Sequence, residues 1–122
     1  MIEHLPELIK IPTLGRREVS ITNGGLKNGY ISLSAMRDFF PREAIGGSKY
    51  ASAAPKLLTF IFEGRSFSSD IAGGKRWMIR NRSRSGMQGF FVLTKARVGD
   101  VVIVDKLADY VYAFRLKREA SR

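Results

Sequence analysis

Residues 75–100, KRWMIRNRSRSGMQGFFVLTKARVGD, decide both the predicted fold and the predicted site. The pattern predicts a strand, an arginine-rich loop, an aromatic strand and a tight Gly-Asp turn. Side chains of an extended strand alternate between two faces, so Trp77 and Ile79 share a face that we expect to pack into the core. The opposite face continues into the loop without any acidic residue, and it consists of Arg76, Met78, Arg80, Arg82 and Arg84. Such a row suits polyphosphate and base edges better than core packing.

The charge balance indicates a polyanionic partner. The chain has 122 residues, with 21 Lys plus Arg against 11 Asp plus Glu and a formal net charge of +10. This length fits one domain with a single moderate core. A charge this large adds self-repulsion to a small domain, and binding a polyanion is the usual reason to carry it. Nucleic acid is the first expected partner and an anionic membrane surface the second, while a general effect on solubility is the remaining alternative.

The composition also argues against several kinds of site. The chain has no cysteine, which excludes disulfides and thiolate metal sites, and His4 is the only histidine. Paired-histidine mechanisms and multi-histidine metal sites are therefore excluded. The sequence contains no phosphate-binding Gly-x-x-x-x-Gly-Lys motif and no acid-x-Lys triplet of the kind that a metal-dependent nuclease uses. We expect no catalytic residue, no metal site and no cofactor. No apolar run approaches the roughly 20 residues of a membrane span.

Short extended stretches separated by turn residues predict a mainly β fold of about seven strands, with one or two short helices. Besides the Trp-bearing strand, the predicted extended segments are residues 18–22, 30–33, 57–62, 66–71, 90–93, 101–104 and 110–115. Ser34 is expected to cap a helix over residues 35–40 that Pro41 ends. Turns are expected at residues 63–65, 72–74 and 105–109, and residues 41–55 form a long connection.

Residues 22–30, TNGGLKNGY, are predicted to form a loop, because three glycines adopt positive φ easily and two asparagines favour turns. Lys27 and Asn28 lie near its expected tip. An asparagine amide bonds the N6 and N7 atoms of adenine, whereas Asn-Gly also forms hairpins that need no ligand. Both interpretations stay open at this point.

The arginine loop, the name used here for residues 81–89, follows the Trp-bearing strand and carries the main candidates. An arginine fork bonds guanine O6 and N7 together or clamps a phosphate, and such a pair contributes about 1–3 kcal/mol of base discrimination. Both roles are open for Arg80, Arg82 and Arg84. The short polar candidates for base edges or phosphates are Asn81, Ser83, Ser85 and Gln88. The expected phosphate contacts are Lys49, Lys75 and Arg76, with Arg16, Arg17 and Lys95 as further candidates.

The order of features from residue 18 to residue 116 resembles the B3-type DNA-binding pseudobarrel. The shared features are a strand and short helix ending in Phe-Pro, the WMIR strand, the polar loop, a valine run after Gly-Asp and a closing aromatic strand. They lie in residues 30–41, 77–80, 91–93, 98–104 and 110–114. The family includes plant transcription-factor domains and the recognition or effector domains of bacterial restriction endonucleases, and this chain is more similar to the bacterial type.

The resemblance implies a seven-stranded open pseudobarrel that binds double-stranded DNA sequence-specifically through two loops in the major groove. The matching loops are residues 22–29, called the glycine-rich segment below, and the arginine loop. Residues 16–116 would then be the recognition or effector domain of a bacterial cytoplasmic restriction enzyme whose nuclease domain is separate. Residues 1–15 are expected to be an arm or linker, and residues 117–122 a basic tail.

Three alternatives make different structural predictions. An RNA- or single-strand-binding barrel requires exposed aromatic side chains on a sheet face, whereas we expect Trp77 to be a core residue. A small metal-dependent nuclease requires a cleft where Asp70, Asp100 or Glu63 converge. A basic component of a protein assembly requires no specific nucleic-acid site.

Overall fold

The computed structural model describes residues 13–49 and 52–117, which contain eight β-strands, two α-helices and two 3-10 helices. The strands are β1 (Gly15–Ser20), β2 (Ile45–Gly46), β3 (Leu58–Phe62), β4 (Arg65–Ser69), β5 (Ile71–Ala72), β6 (Met78–Ile79), β7 (Val101–Ala108) and β8 (Val111–Lys117). The helices are α1 (Asn23–Asn28) and α2 (Met87–Thr94), with 3-10 helices at Ser34–Phe39 and Arg42–Ala44. Residues 1–12 of the predicted arm, with His4, and residues 118–122 of the predicted tail lie outside the described ranges.

The described strands form two sheets that do not close into a barrel. A five-stranded sheet has the order β1-β7-β8-β3-β4, and a three-stranded sheet has the order β2-β5-β6. The β3–β8 and β2–β5 pairs are parallel, and the other pairs are antiparallel. The prediction of a mainly β fold with few short helices is confirmed. The described ranges contain eight strands, divided between two sheets, whereas about seven strands were predicted.

The core is a cluster of aromatic rings between the large sheet and α2. Phe60 of β3 stacks on Phe114 of β8, with ring centroids 5.2 Å apart and an interplanar angle of 11°. Phe90 of α2 lies 5.6 Å from Phe114 and meets Phe62 edge-on at 5.5 Å. All four rings are buried. Burial of this apolar area is the main force that fixes α2, and with it the preceding arginine loop, on the sheet.

Residues 90–93 form part of helix α2, so the predicted strand there is wrong. A continuous apolar run is compatible with either a buried strand or a helix. The wider pattern is helical, because Met87, Phe90 and Phe91 recur at three-to-four spacing and are all buried. Val92 and Leu93 are 69% and 42% exposed, which a strand covered on both faces would not allow.

The predicted strands at residues 75–80 and 30–33 are also corrected. Of residues 75–80, only the two residues of β6 are in a strand, and residues 30–33 form no strand. The two segments are instead joined by two hydrogen bonds. Leu33 N donates to Trp77 O at 2.8 Å, and Trp77 N donates to Ser34 Oγ at 3.0 Å. Ile79 is fully buried and Trp77 packs partly buried against the core, so their predicted core position is confirmed.

The hairpin predictions have mixed outcomes. The turn between β3 and β4 is confirmed, and Glu63 and Gly64 both have positive φ, 49° and 74°, as a two-residue primed turn requires. The turn predicted at residues 105–109 is wrong, because β7 continues to Ala108 and only Asp109 and Tyr110 form the turn. The strand tolerates the buried Asp105 carboxylate because basic side chains from both neighbouring strands pair with it.

The short helix predicted over residues 35–40 is present as the 3-10 helix Ser34–Phe39, but the predicted cap is wrong: Ser34 lies inside the helix, and its hydroxyl accepts the bond from Trp77 N. The helix has a kink at Met36, where φ is −130° and ψ is 39°. Phe40 is extended, as expected of a residue that precedes proline. The long connection after Pro41 contains the second 3-10 helix and strand β2.

Tyr112 makes the stability depend on pH in the alkaline range. This residue is fully buried, and its Oη donates to Phe39 O at 2.6 Å. Burial, with a smaller contribution from Asp109, raises the pKa of Tyr112 from 10.0 to about 12. Between these two values the unfolded chain has lost the proton and the folded chain has kept it. The contribution of Tyr112 to the free energy of unfolding is therefore complete below pH 10. It falls by about 1.4 kcal/mol per pH unit as the pH rises from 10 towards 12.

We expect urea unfolding to show this alkaline loss in the wild type and a flatter profile in Tyr112→Phe, which lacks the titrating group. At neutral pH, Tyr112→Phe should be less stable by about 1 kcal/mol, because the bond to Phe39 O is gone. Equal alkaline slopes in the two proteins would contradict this assignment.

Candidate nucleic-acid interface

The glycine-rich segment folds as helix α1, so the loop predicted there is wrong. Thr22 caps the helix, because Gly25 N donates to Thr22 Oγ1 at 2.9 Å. Gly29 ends it in the left-handed conformation, with φ +78° and its N–H on Gly25 O at 2.7 Å. These two caps outweigh the low helix propensity of the Gly-Gly pair. The segment is therefore a defined turn of helix, and its two predicted binding residues are exposed in the last turn.

The arginine loop is held in shape by its own polar groups. Asn81 Oδ1 accepts bonds from Ser83 N at 3.1 Å and Ser83 Oγ at 2.6 Å. Asn81 Nδ2 donates to Ser85 Oγ at 3.3 Å. Met87 N donates to Asn81 O at 3.1 Å. Residues 87–89, which the sequence predicted as the end of the loop, belong to the first turn of α2, so the non-helical part of the arginine loop ends at Gly86. A Cβ at Gly86 would collide with the Asn81 carbonyl oxygen, so this close approach requires glycine.

Arg80 does not project from the strand as the period-two pattern predicted, and the row of exposed guanidinium groups is broken at this residue. Arg80 Nε donates to Asp70 Oδ1 at 2.6 Å, and Nη2 donates to Asp70 Oδ2 at 3.0 Å. The two side chains are only 11% and 2% exposed. A buried carboxylate needs a charged partner, and this demand turns Arg80 inward.

The Arg80–Asp70 pair anchors the loop that follows β2 to the start of the arginine loop. Arg80 Nη1 donates to Lys49 O at 3.0 Å, and Nη2 donates to Gly47 O at 2.7 Å. Asp70 Oδ2 also accepts a bond from Ala54 N at 2.7 Å. Arg80 is therefore a positioning residue for the arginine loop.

The glycine-rich segment and the arginine loop lie side by side. A Cβ placed on Gly29 would lie 2.7 Å from Arg82 O and 2.9 Å from Gln88 Cγ, so the two backbones are in direct contact. Helices α1 and α2 are also neighbours. Next to this junction, Arg76 Nη1 donates to Tyr30 Oη at 2.9 Å. The two segments that the sequence separates by about fifty residues therefore share one face of the molecule.

This face is cationic. The exposed residues of the two segments are Thr22, Asn23, Lys27, Asn28, Arg82, Ser83, Arg84, Ser85 and Gln88. Arg82 and Arg84 make no hydrogen bond or ion pair with another residue of the described ranges through their side chains. Residues 19–37 and 71–99 contain no Asp or Glu, and Arg80 neutralises Asp70. The surface potential here is therefore positive and suited to an anionic partner.

The predicted phosphate contacts divide into two groups. Lys49, Lys75 and Arg76 are exposed on segments that flank the arginine loop. Arg16 and Arg17 instead pair with carboxylates, at 2.6 Å to Asp105 and 3.1 Å to Asp38. A further candidate from the sequence, Lys95, ends α2 in the left-handed conformation with φ +55°.

Arg37 and Tyr30 also border this face, although no sequence pattern predicted it. Arg37 Nη2 donates to Lys75 O at 3.0 Å, and its guanidinium lies 5.0 Å from the centre of the Trp77 ring. Tyr30 receives the bond from Arg76 described above. No motif marks either residue, because both contacts join positions nearly forty or more residues apart.

The aromatic side chains give little support to a single-strand platform. The buried rings are Phe39, Phe40, Phe60, Phe62, Phe67, Phe90, Phe91, Tyr112 and Phe114. Tyr30, Trp77 and Tyr110 are partly buried, so no aromatic residue in the described ranges is fully exposed. Stacking of successive bases needs exposed rings.

Two of the carboxylates named for a nuclease, Glu63 and Asp70, do not converge. Glu63 lies at the β3–β4 turn, and Asp70 follows the other end of β4. Within the described ranges, no group of three or more His, Cys, Asp and Glu side chains is placed to hold a metal ion.

Comparison of the chain with protein-family models and with curated proteins finds no match. Among residues 13–49 and 52–117, no helix combines the length and the apolar character that a membrane span requires.

Gly29→Ala tests the contact between the two segments. The new Cβ would be strained at φ +78° and would press on Arg82 O and Gln88. Gly64→Ala is a matched control, because Gly64 has φ +74° and no atom within 4 Å of the added Cβ. We expect Gly29→Ala to lower the free energy of unfolding by about 2–3 kcal/mol and Gly64→Ala by about 1 kcal/mol, measured by urea denaturation. Equal losses would show that the contact contributes nothing beyond the shared φ strain.

Proposed function

We propose that this chain binds double-stranded DNA sequence-specifically, with the glycine-rich segment and the arginine loop entering the major groove. The observation that carries the proposal is the contact of the two segments at Gly29, which presents their exposed donors on one face. The described residues of this face include no unpaired carboxylate, so the face attracts the phosphate backbone. Its exposed arginine, asparagine and glutamine side chains are types that bond base edges.

The dimensions of the two segments support this mode of binding. Helix α1 has six residues and is therefore about 9 Å long, while the major groove is about 12 Å wide. The major groove admits an α-helix. The minor groove, about 6 Å wide, does not admit a helix and a loop together.

The proposed contacts follow from exposure and available donors. Arg84 and Gln88 are the proposed base contacts of the arginine loop, and Lys27 and Asn28 those of α1. Asn28 Nδ2 donates to Gly24 O at 3.0 Å, which leaves its Oδ1 and second N–H for a base. The proposed phosphate contacts are Lys49, Lys75 and Arg76, together with the exposed hydroxyls of Ser83 and Ser85. Asn81 and Arg80 position the loop from within.

The resemblance to B3-type pseudobarrels supports the same proposal and extends it. On that basis, residues 16–116 are the recognition or effector domain of a bacterial, cytoplasmic restriction-type enzyme. Its nuclease activity would belong to a separate domain of the same parent protein.

Salt dependence and strand preference test the proposal together. We expect the logarithm of the binding constant for duplex DNA to fall with the logarithm of salt concentration with a slope of about −3. This estimate assumes that the three cationic phosphate contacts, Lys49, Lys75 and Arg76, each neutralise one phosphate, at about −0.9 per phosphate. Fluorescence anisotropy with a labelled duplex measures the slope, and unlabelled single strands of the same sequence serve as competitors. A flat salt response, or stronger competition by single strands than by duplex, would reject the proposal.

A further inference from the structure

A cleft of about 340 Å³ opens on the cationic face beside the arginine loop. Three guanidinium-bearing side chains line it, from Arg76, Arg80 and Arg82. Ser48, Gly73 and Met78 complete most of its wall. Of the glycine-rich segment and the arginine loop, only Arg82 lines the cleft, which brings together residues from three separate parts of the chain.

Close backbone packing builds the wall opposite the arginines. Gly73 N donates to Gly46 O at 2.9 Å, and a Cβ on Gly73 would lie 2.5 Å from that oxygen. Gly74 has φ +105°, and a Cβ there would lie 3.2 Å from Ser48 Cβ. The turn before β6 is thereby held against the end of β2. Ser48 lines the cleft and is exposed.

The three arginines differ in the donors that they still offer. Arg80 uses Nε, Nη1 and Nη2 on Asp70 and on backbone carbonyls, so its charge is compensated. Arg76 donates one hydrogen bond, from Nη1 to Tyr30 Oη, and its other side-chain donors bond to no residue of the described ranges. The Arg82 side chain has no hydrogen-bond or ion-pair partner among the described residues. Two arginines with open guanidinium donors, Arg76 and Arg82, therefore line one small cleft that has no lining carboxylate.

We propose that this cleft binds one phosphodiester group of the DNA backbone, with Arg76 and Arg82 donating to its oxygens and Ser48 adding a hydroxyl donor. Arginine forks suit phosphate oxygens, and the short apolar wall of Ala72 and Met78 accommodates the neighbouring sugar. The inference rests on the proposed function, and it assigns different roles to two residues of the arginine loop. Arg82 fixes the position of the backbone, and Arg84 is left to read a base.

A scan with neutral phosphate analogues tests the inference. Each phosphate of a duplex recovered by selection is replaced in turn by a methylphosphonate, which removes one negative charge. For the wild type we expect one position to weaken binding by about tenfold or more. In Arg76→Ala/Arg82→Ala the same position should have no further effect. The control Arg65→Ala/Arg97→Ala removes two arginines that do not line the cleft, and it should keep the full position-dependent loss.

The outcomes separate this inference from the proposed function. If the position-dependent loss persists undiminished in Arg76→Ala/Arg82→Ala, the cleft does not hold that phosphate, although duplex binding stands. A second arm titrates the protein with inorganic phosphate and follows the amide resonances of Ser48, Gly73 and Gly74. Saturable shifts in a protein that binds no duplex would assign the cleft to free phosphate and overturn the phosphodiester inference. The absence of any response to duplex or to inorganic phosphate would overturn both proposals.

Discussion

Arg80→Ala is expected to lower the free energy of unfolding by about 3–5 kcal/mol, the largest stability effect that the structure predicts for a single side chain of the interface. The substitution leaves the Asp70 carboxylate, only 2% exposed, without its charged partner. It also removes the bonds to Gly47 O and Lys49 O that connect the loop after β2. Urea denaturation followed by the fluorescence of Trp77, the single tryptophan, measures the loss.

Two further variants show whether the loss comes from the buried charge. Asp70→Ala/Arg80→Ala removes both charges and should be less destabilised than Arg80→Ala alone, because no unpaired carboxylate remains. Lys117→Ala breaks an exposed pair with Glu18 and should change stability by less than about 1 kcal/mol. A loss below about 1 kcal/mol for Arg80→Ala would show that the pair is not the anchor described above.

Arg84→Ala is expected to weaken binding to a selected duplex by roughly tenfold to a hundredfold, and binding to a random duplex much less. The Arg84 side chain is exposed in the arginine loop and free of partners among the described residues, so its whole fork is available to a guanine edge. One bidentate base contact contributes about 1–3 kcal/mol of discrimination. Anisotropy titrations with both duplexes at a single salt concentration give the two ratios.

Lys49→Ala and Arg82→Ala provide the comparison for Arg84. Both remove proposed phosphate contacts, so each should weaken selected and random duplexes alike and reduce the salt slope by about 1. Equal losses on the two duplexes for Arg84→Ala as well would reject direct base readout by the arginine loop.

The sequence predicts the strands of the large sheet well because burial there follows a local pattern. Leu58, Phe60 and Phe62 alternate with more exposed neighbours and lie in β3, and the valine-rich run after Gly99 lies in β7. The helices were harder to predict. Gly24 and Gly25 favour a loop when considered alone, and helix α1 forms because caps at both of its ends compensate for them.

The site is only partly readable from sequence for a different reason. The exposure of Arg82 and Arg84 follows from their place in a polar loop, and the sequence indicates it. The inward turn of Arg80 depends on Asp70, ten residues away on another strand end, and no local periodicity contains that information. The contact of Gly29 with the arginine loop is likewise a property of the tertiary structure, since only packing of α2 on the sheet places the loop there.

One measurement tests the central claim most directly: the ratio of the Kd for a random duplex to the Kd for a duplex selected by this protein from a random pool, at the same salt concentration. Sequence-specific recognition by the two adjacent segments predicts a ratio of about 10³ or more. A ratio near one, after selection has been carried to completion, would contradict the account and leave a basic surface without base readout.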